Sequence, residues 1–326
     1  MLANAIGVVQ DTYLVHLSGA VAAINARLAT DPELQAYAST LSSLLDDSSF
    51  GVNPHLSNKF AQILGEAHFW LLCIEKGLRL TRIPEVQNKK TPDFSASIGT
   101  PSFCFEVETL SVVGGDAGIA SALHSSLDAH IDLEARQRAG ARIALATSEA
   151  QPYSGKINHD QTVLSVINTL LEKARGNIKA DQFAMPNTFL VINLSIIPPR
   201  LTEPKALRPA YPDDFMFSKA ATGDLWTVAF GKIGMPILGI SEFEGKPCVE
   251  GIFDKIDILA DKEFSAVAGL LFMIHPGQRP SELWGLFRSA DLSKWEDGKA
   301  DLLTQIRALT GKLWNDCGDT NGWQLQ

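Results

Sequence analysis

Phe60–Lys76, FAQILGEAHFWLLCIEK, and the residues that follow it as far as Leu110 decide how this chain is read. Ile63, Ala67, Trp70, Leu71 and Ile74 recur at helical intervals and predict an amphipathic helix that Gly77 ends. Glu66 stands within that apolar stripe, where a carboxylate is costly unless a cation or metal ion partners it. Thr91-Pro92-Asp93-Phe94 then reads as a turn into a strand, and Phe103-Cys104-Phe105-Glu106-Val107-Glu108 as a second strand. Alternation along that strand puts Phe103, Phe105 and Val107 on one face and Cys104, Glu106 and Glu108 on the other. One helix acid, one acid after a proline and two strand acids, brought together at a sheet edge, outline a site for a hard cation.

Composition sets the class. The 326 residues are 45% hydrophobic and 20% charged, which is the balance of a globular protein. The longest apolar run, Ala266–Ile274, is too short to span a membrane. Residues 1–26 lack a basic start and predict no signal peptide. Cys73, Cys104, Cys248 and Cys317 show no metal or redox spacing and read as reduced thiols of a cytoplasmic protein. The net charge of -9 argues against nucleic acid at first. Residues 1–58 carry -4 of it and residues 201–326 carry -5, so residues 59–200 are neutral and a bound divalent ion would turn them positive.

Outward from the opening stretch, residues 1–48 read as helices. Val8, Leu14, Leu17, Val21, Ile24 and Leu28 fall at helical intervals, and Asp31-Pro32 opens a second helix through Leu45. Ser48–Ser57 reads as a loop, as does Ser111–Asp116 with its Gly114-Gly115 pair. Ile119–Ala139 is a polar helix, and the stretch from His159 or Asp160 to Arg175 an amphipathic one stopped by Gly176. Thr188–Ile196 has the continuous apolar content of a central strand. Five prolines between Pro198 and Pro212 mark a surface connection. Leu225–Phe230, Ile237–Phe243 and Cys248–Phe253 read as strands, Phe264–Ile274 as a buried strand or helix, and Asp301–Trp314 as a final helix. The expectation is an α/β protein with a mixed sheet flanked by helices. An N-terminal helical segment, 1–58, precedes a core, 59–200, and an α/β extension, 201–326, which is a separate unit or part of the same domain.

The order of a helix glutamate, Pro-Asp opening a strand, and acid-x-acid on the adjoining strand resembles the PD-(D/E)xK nuclease superfamily. Glu66, Pro92-Asp93 and Glu106-x-Glu108 carry the resemblance, with Glu108 at the position where most members have lysine and a minority of restriction enzymes have glutamate. It covers roughly residues 59–110 and extends to about residue 200. It implies a restriction-endonuclease-like fold and hydrolysis of phosphodiester bonds in DNA or RNA with Mg²⁺, for which Mn²⁺ substitutes. Asp93 and Glu106 would ligate the ion, and Glu66 a ligand water or a second ion. The motif lysine steadies the attacking water and the developing charge. Without it, Glu108 acts as base or ligand, or a cation arrives from elsewhere, Lys173 being the first candidate and Lys156 the second.

Each of these residues also has an ordinary explanation. Glu66 pairs with an arginine, Asp93 is a turn residue, and Glu106 and Glu108 are the solvated face of an edge strand. His68, two residues beyond Glu66, points to another part of the helix and is packed or exposed. Arg136, Arg138, Arg142, Lys173, Arg175 and Lys179 form a phosphate-contacting rim or only solubilise the chain. The order of the four acids, with Asp93 thirteen residues before Glu106, favours the site. The expected partner is nucleic acid, DNA before RNA, with a homodimer as the expected assembly and no membrane. The rival readings are a catalytically inactive relative that binds nucleic acid or protein, and an assembly protein with acidic surfaces.

Overall fold

Two Asx-Pro pairs start the helices of the N-terminal half. Asp31 accepts hydrogen bonds from the Glu33 and Leu34 N–H groups, both at 3.0 Å, and so caps α2 (Pro32–Leu45). Asn53 accepts one from the His55 N–H at 3.1 Å and caps α3 (Pro54–Glu75), with proline at the first helical position in both. The expected loop from Ser48 to Ser57 therefore stops at Asn53. The helix α1 (Ser18–Arg27) precedes them. Gly77, at φ 81°, supplies the left-handed residue after α3, as expected.

The structure is a computed structural model, and it describes residues 15–50, 53–85, 90–97, 102–110, 115–146, 163–178, 181–185, 187–196, 225, 228–229, 250–253, 267–275, 280–287 and 300–310. Lys156, Lys179, Cys248, Cys317, the five prolines and the expected strand Ile237–Phe243 lie outside the described residues.

Six strands lie side by side in chain order: β1 (Leu80–Arg82), β2 (Phe94–Ser97), β3 (Ser102–Thr109), β4 (Thr188–Asn193), β5 (Val267–Ile274) and β6 (Glu282–Phe287). The first three form an antiparallel meander, β3, β4 and β5 run parallel, and β6 returns antiparallel to β5. Between β3 and β4 the chain forms α4 (Gly115–Arg138) and α5 (Val163–Asn177), and α6 (Ala300–Thr310) follows β6. This is a mixed open sheet of the α/β class. Every residue of β4 and of β5 is buried, which their unbroken apolar runs predict for central parallel strands. Strands β5 and β6 come from residues 201–326 yet extend the sheet that residues 59–200 begin.

An aromatic layer joins α3 to the meander. The Phe69 ring lies 6.0 Å from that of Phe94 and 5.3 Å from that of Phe105, and Phe103 and Phe189 continue the layer along the sheet. Leu17, Val21, Ile24, Leu34 and Leu41, from the N-terminal turn and from α1 and α2, belong to the same core. Gly65 lets the α3 backbone approach the sheet closely: a Cβ there would collide with Thr109 Oγ1 and lie 2.7 Å from Asn193 Nδ2.

Several expectations change. Leu225, Val228 and Ala229 are helical rather than extended, and Ile252 and Phe253 form a turn that donates its N–H groups to the Val228 and Ala229 carbonyls. A short apolar run does not distinguish the two conformations, and local partners decide. Phe264–Ile274, open between strand and helix, supplies β5. Gly176 does not stop α5, which runs on to Asn177 with the Asn177 amide donating to the Lys173 carbonyl at 2.8 Å. Strands β1 and β6 are additions that no alternating pattern announces.

Candidate acidic site

Strand pairing assembles the site. The β2–β3 register opens with Phe94 opposite Phe105, and Asp93 stands one residue before it. The Asp93 Oδ2 accepts a hydrogen bond from the Val107 N–H at 2.7 Å, which ties the turn to β3 beside Glu106. Phe103, Phe105 and Val107 enter the aromatic core, so Glu106 and Glu108 take the opposite face, as alternation predicts. Glu106 is only 5% exposed, and its Oε1 accepts a hydrogen bond from Gln182 Nε2. Gln182 belongs to the single turn Gln182–Ala184 that leads into β4.

Helix α5 brings the cation. Leu170, Leu171 and Ala174 bury one side of the helix, and Lys173 lies between them with its ammonium 2.9 Å from Glu108 Oε2. Both side chains are about four-fifths buried. Lys173, the first candidate to replace the motif lysine, thus meets the residue that occupies the lysine's position.

Glu66 finds a different partner. Its Oε2 accepts from the Tyr37 hydroxyl at 3.2 Å and lies 3.5 Å from Arg82 Nη2. Arg82 in turn binds Glu33 Oε1 through Nε at 2.6 Å, and its guanidinium sits 4.6 Å from the centre of the Tyr37 ring. The cation that the buried position of Glu66 requires is therefore an arginine from β1. Among the described residues no three His, Cys, Asp or Glu side chains form a group that could hold a metal ion, so Glu66 does not join Asp93 and Glu106 around one ion.

The acids nevertheless sense one another. Burial pushes the Asp93 carboxyl up to about 7, against the pull of its Val107 hydrogen bond, and the charges of Glu66 and Glu108 add to the rise. Burial also raises Glu66, opposed by Arg82 and Tyr37 and reinforced by Glu108 and Glu85. Burial and neighbouring acids therefore both disfavour the charged carboxylates here, and a divalent cation would relieve that. Asp93, in the turn just before β2, and Glu106 on β3 are hard oxygen donors. Mg²⁺ needs no more than one or two carboxylates from the protein, with waters and phosphate oxygens completing its shell. In donor type, two carboxylates suit that ion.

A second polar cluster lies on the other side of Gly65. His68 is buried and shares the Ser281 hydroxyl with His275, its Nε2 at 3.1 Å and the His275 Nδ1 at 2.9 Å. The His16 Nε2 donates to the Ser195 carbonyl at 2.9 Å, and the His16 and His275 ring centres are 5.4 Å apart. Burial, with the neighbouring His275 and His16, lowers His68 to about 3 and keeps it neutral. His68 is thus packed, and away from the acids.

The expected basic rim is largely occupied. Arg136 pairs with Asp132 at 2.7 Å and Arg138 with Glu134, each within α4, and Arg175 donates to the Glu250 carbonyl at 2.9 Å. Cys73 and Cys104 are buried free thiols, both held above the ordinary thiol range by burial. No helix among the described residues is long and apolar enough to cross a membrane. Tyr37, Arg82 and Gln182 escaped the sequence reading because their roles come from contacts between distant segments. The one available signal was the requirement that Glu66 have a cation. Compared with known proteins, the chain has no significant match to a family model, a curated protein or a solved structure.

Proposed function

We propose that this protein is a divalent-cation-dependent phosphodiesterase of the PD-(D/E)xK kind, with a restriction-endonuclease-like sheet and nucleic acid, DNA first, as substrate. One observation carries the reading: the Lys173 ammonium lies 2.9 Å from Glu108 Oε2, so α5 returns a positive charge to the motif position that has lost its lysine. The agreement of the other elements supports it, since the helix glutamate, Pro-Asp at the start of β2 and the acidic face of β3 occur in the motif's order.

The roles follow from the positions. Asp93 and Glu106 hold Mg²⁺, which when bound polarises the scissile phosphate and lowers the pKa of an attacking water. The Val107 N–H fixes Asp93, and Gln182 fixes Glu106. Lys173 stabilises negative charge developing on the phosphoryl oxygens, and Glu108 orients that ammonium. Glu66 and Arg82 form the flank nearest the meander, where Arg82 tempers the negative field on Asp93.

Cleavage of a mixed panel of DNA and RNA substrates with Mg²⁺ or Mn²⁺ tests the reading. Wild type should cleave at least one member, Asp93→Asn should lose activity, and Lys173→Ala should lose about 100-fold or more. Pairing Glu108→Lys with Lys173→Glu moves the lysine back to the strand and should restore part of the activity. Glu108 at the lysine position also favours a second reading, an inactive relative that binds nucleic acid or protein. Metal-dependent cleavage by none of the proteins, the charge-swapped variant included, would replace the first reading with the second.

A further inference from the structure

Gln182 is the unexpected member of the acidic site. It is 6% exposed, and its Nε2 donates to Glu106 Oε1. Its carbonyl oxygen, Oε1, is fully buried and accepts no hydrogen bond among the described residues. Buried amide oxygens are nearly always satisfied, because leaving one without a donor costs on the order of 1–3 kcal/mol. An oxygen acceptor held beside a buried carboxylate, with no protein donor among the described residues, is placed to ligate a cation.

Charge balance favours an amide at this place. Glu66 and Glu108 already push Asp93 upward. A further carboxylate would supply an oxygen at the cost of more repulsion, whereas a neutral amide supplies the oxygen alone. Glutamine carbonyls are accepted ligands of hard cations. The turn that carries Gln182 leads into β4, the parallel neighbour of β3, so the residue is fixed by the sheet itself.

Resting on the phosphodiesterase reading, we propose that Gln182 is a direct ligand of the divalent cation: Nε2 orients the Glu106 carboxylate and Oε1 gives the ion a third protein oxygen beside Asp93 and Glu106. The amide then serves two oxygens at once, and Asp93 and Glu106 need no third acid. Glu66 stays with Arg82.

Calorimetric titration of the full-length protein with Mn²⁺, alongside thermal melting with and without the ion, tests this. Gln182→Leu keeps the approximate size and removes both polar atoms. It should weaken Mn²⁺ binding about 10- to 100-fold and shrink the rise in melting temperature that Mn²⁺ produces. Gln182→Glu removes the donor but keeps an oxygen, and should bind Mn²⁺ at least as tightly as wild type. A residue that only clamps Glu106 would behave otherwise. Gln182→Leu would then lower the melting temperature equally with and without Mn²⁺ and leave the affinity within about twofold, and that result overturns the proposal. Loss of binding in Gln182→Glu as well as in Gln182→Leu overturns it too, because only the clamp would then matter. Asp93→Asn separates the two levels. Mn²⁺ binding that survives Asp93→Asn, or is absent from wild type, removes the phosphodiesterase reading and Gln182 with it. Binding lost in Asp93→Asn but kept in Gln182→Leu removes Gln182 alone.

Discussion

Two buried polar clusters hang from the same helix, and they have opposite characters. On one side of Gly65, Glu66 faces Tyr37 and Arg82 and lies within the electrostatic reach of Asp93 and Glu108. On the other side, His68 closes a neutral hydrogen-bonded set with Ser281 and His275. The histidine cluster shares one hydroxyl between two imidazoles, leaves the buried His68 Nδ1 without a partner among the described residues, and holds His68 uncharged. In the acidic cluster burial and like charge hold Asp93 and Glu66 above the usual carboxylate range despite Arg82. Uncharged polar groups such as the first set carries cost less to bury than carboxylates do. Under the proposed function a bound cation would supply what the second lacks.

The largest effects should come from Asp93. Asp93→Asn keeps an acceptor for the Val107 N–H and removes only the charge. Mn²⁺ affinity should fall at least 100-fold in calorimetry, while stability to urea at pH 8 rises by ~1–3 kcal/mol. A variant destabilised at pH 8 would put Asp93 in the class of the histidines.

Dependence on pH sharpens the contrast, because the two clusters slope in opposite directions. Asp93 is raised in the folded state to about 7, so its favourable protonated form stabilises below the unfolded value near 3.8 and that stability is lost as pH rises through 7. His68 is lowered to about 3, so the unfolded chain takes up its proton first and stability is lost as pH falls from about 6.5 toward 3. Each amounts to at most ~5 kcal/mol across its window, and in wild type the two slopes oppose each other. In Asp93→Asn, urea denaturation between pH 4 and 7 should therefore show stability rising with pH. In His68→Leu it should fall. Parallel profiles in the two variants would end the distinction.

The close approach between the clusters comes next. Gly65→Ala places a methyl group against Thr109 and Asn193, and should cost ~1–3 kcal/mol in urea denaturation. A neutral effect would mean that α3 shifts freely on the sheet and holds neither cluster in place.

Arg82→Ala should be the mildest. It removes the cation beside Glu66, but Arg82 is nearly half exposed and its pairs are screened by solvent. A loss of ~1 kcal/mol or less is expected, together with a further rise in the Asp93 pKa, which NMR titration of the carboxyl would read.

Local pattern made much of this molecule legible. The stripe of α3, the Asp31-Pro32 start of α2, the strand alternation that separates Phe105 from Glu106, and the buried runs of β4 and β5 all depend on neighbours within a few residues. For that reason the α/β class and the face that Glu106 shares with Glu108 could be read directly, whereas the candidacy of Lys173 came only from the resemblance. Strand β1 has three residues and β6 follows no alternation, so neither carried a readable period. Leu225, Val228 and Ala229 satisfied strand and helix alike until their partners were known.

The sequence by itself determined which side chains share a face, because helix and strand periods follow from backbone geometry alone. Only the tertiary structure decided which faces meet. Arg82 reached Glu66 through a meander, Gln182 reached Glu106 across the β3–β4 seam, and Lys173 reached Glu108 from a helix 65 residues further along the chain. Such pairings are set by sheet order and by burial of the whole core. A buried charge accepts whichever partner the fold delivers, and no spacing in the chain records which one that is.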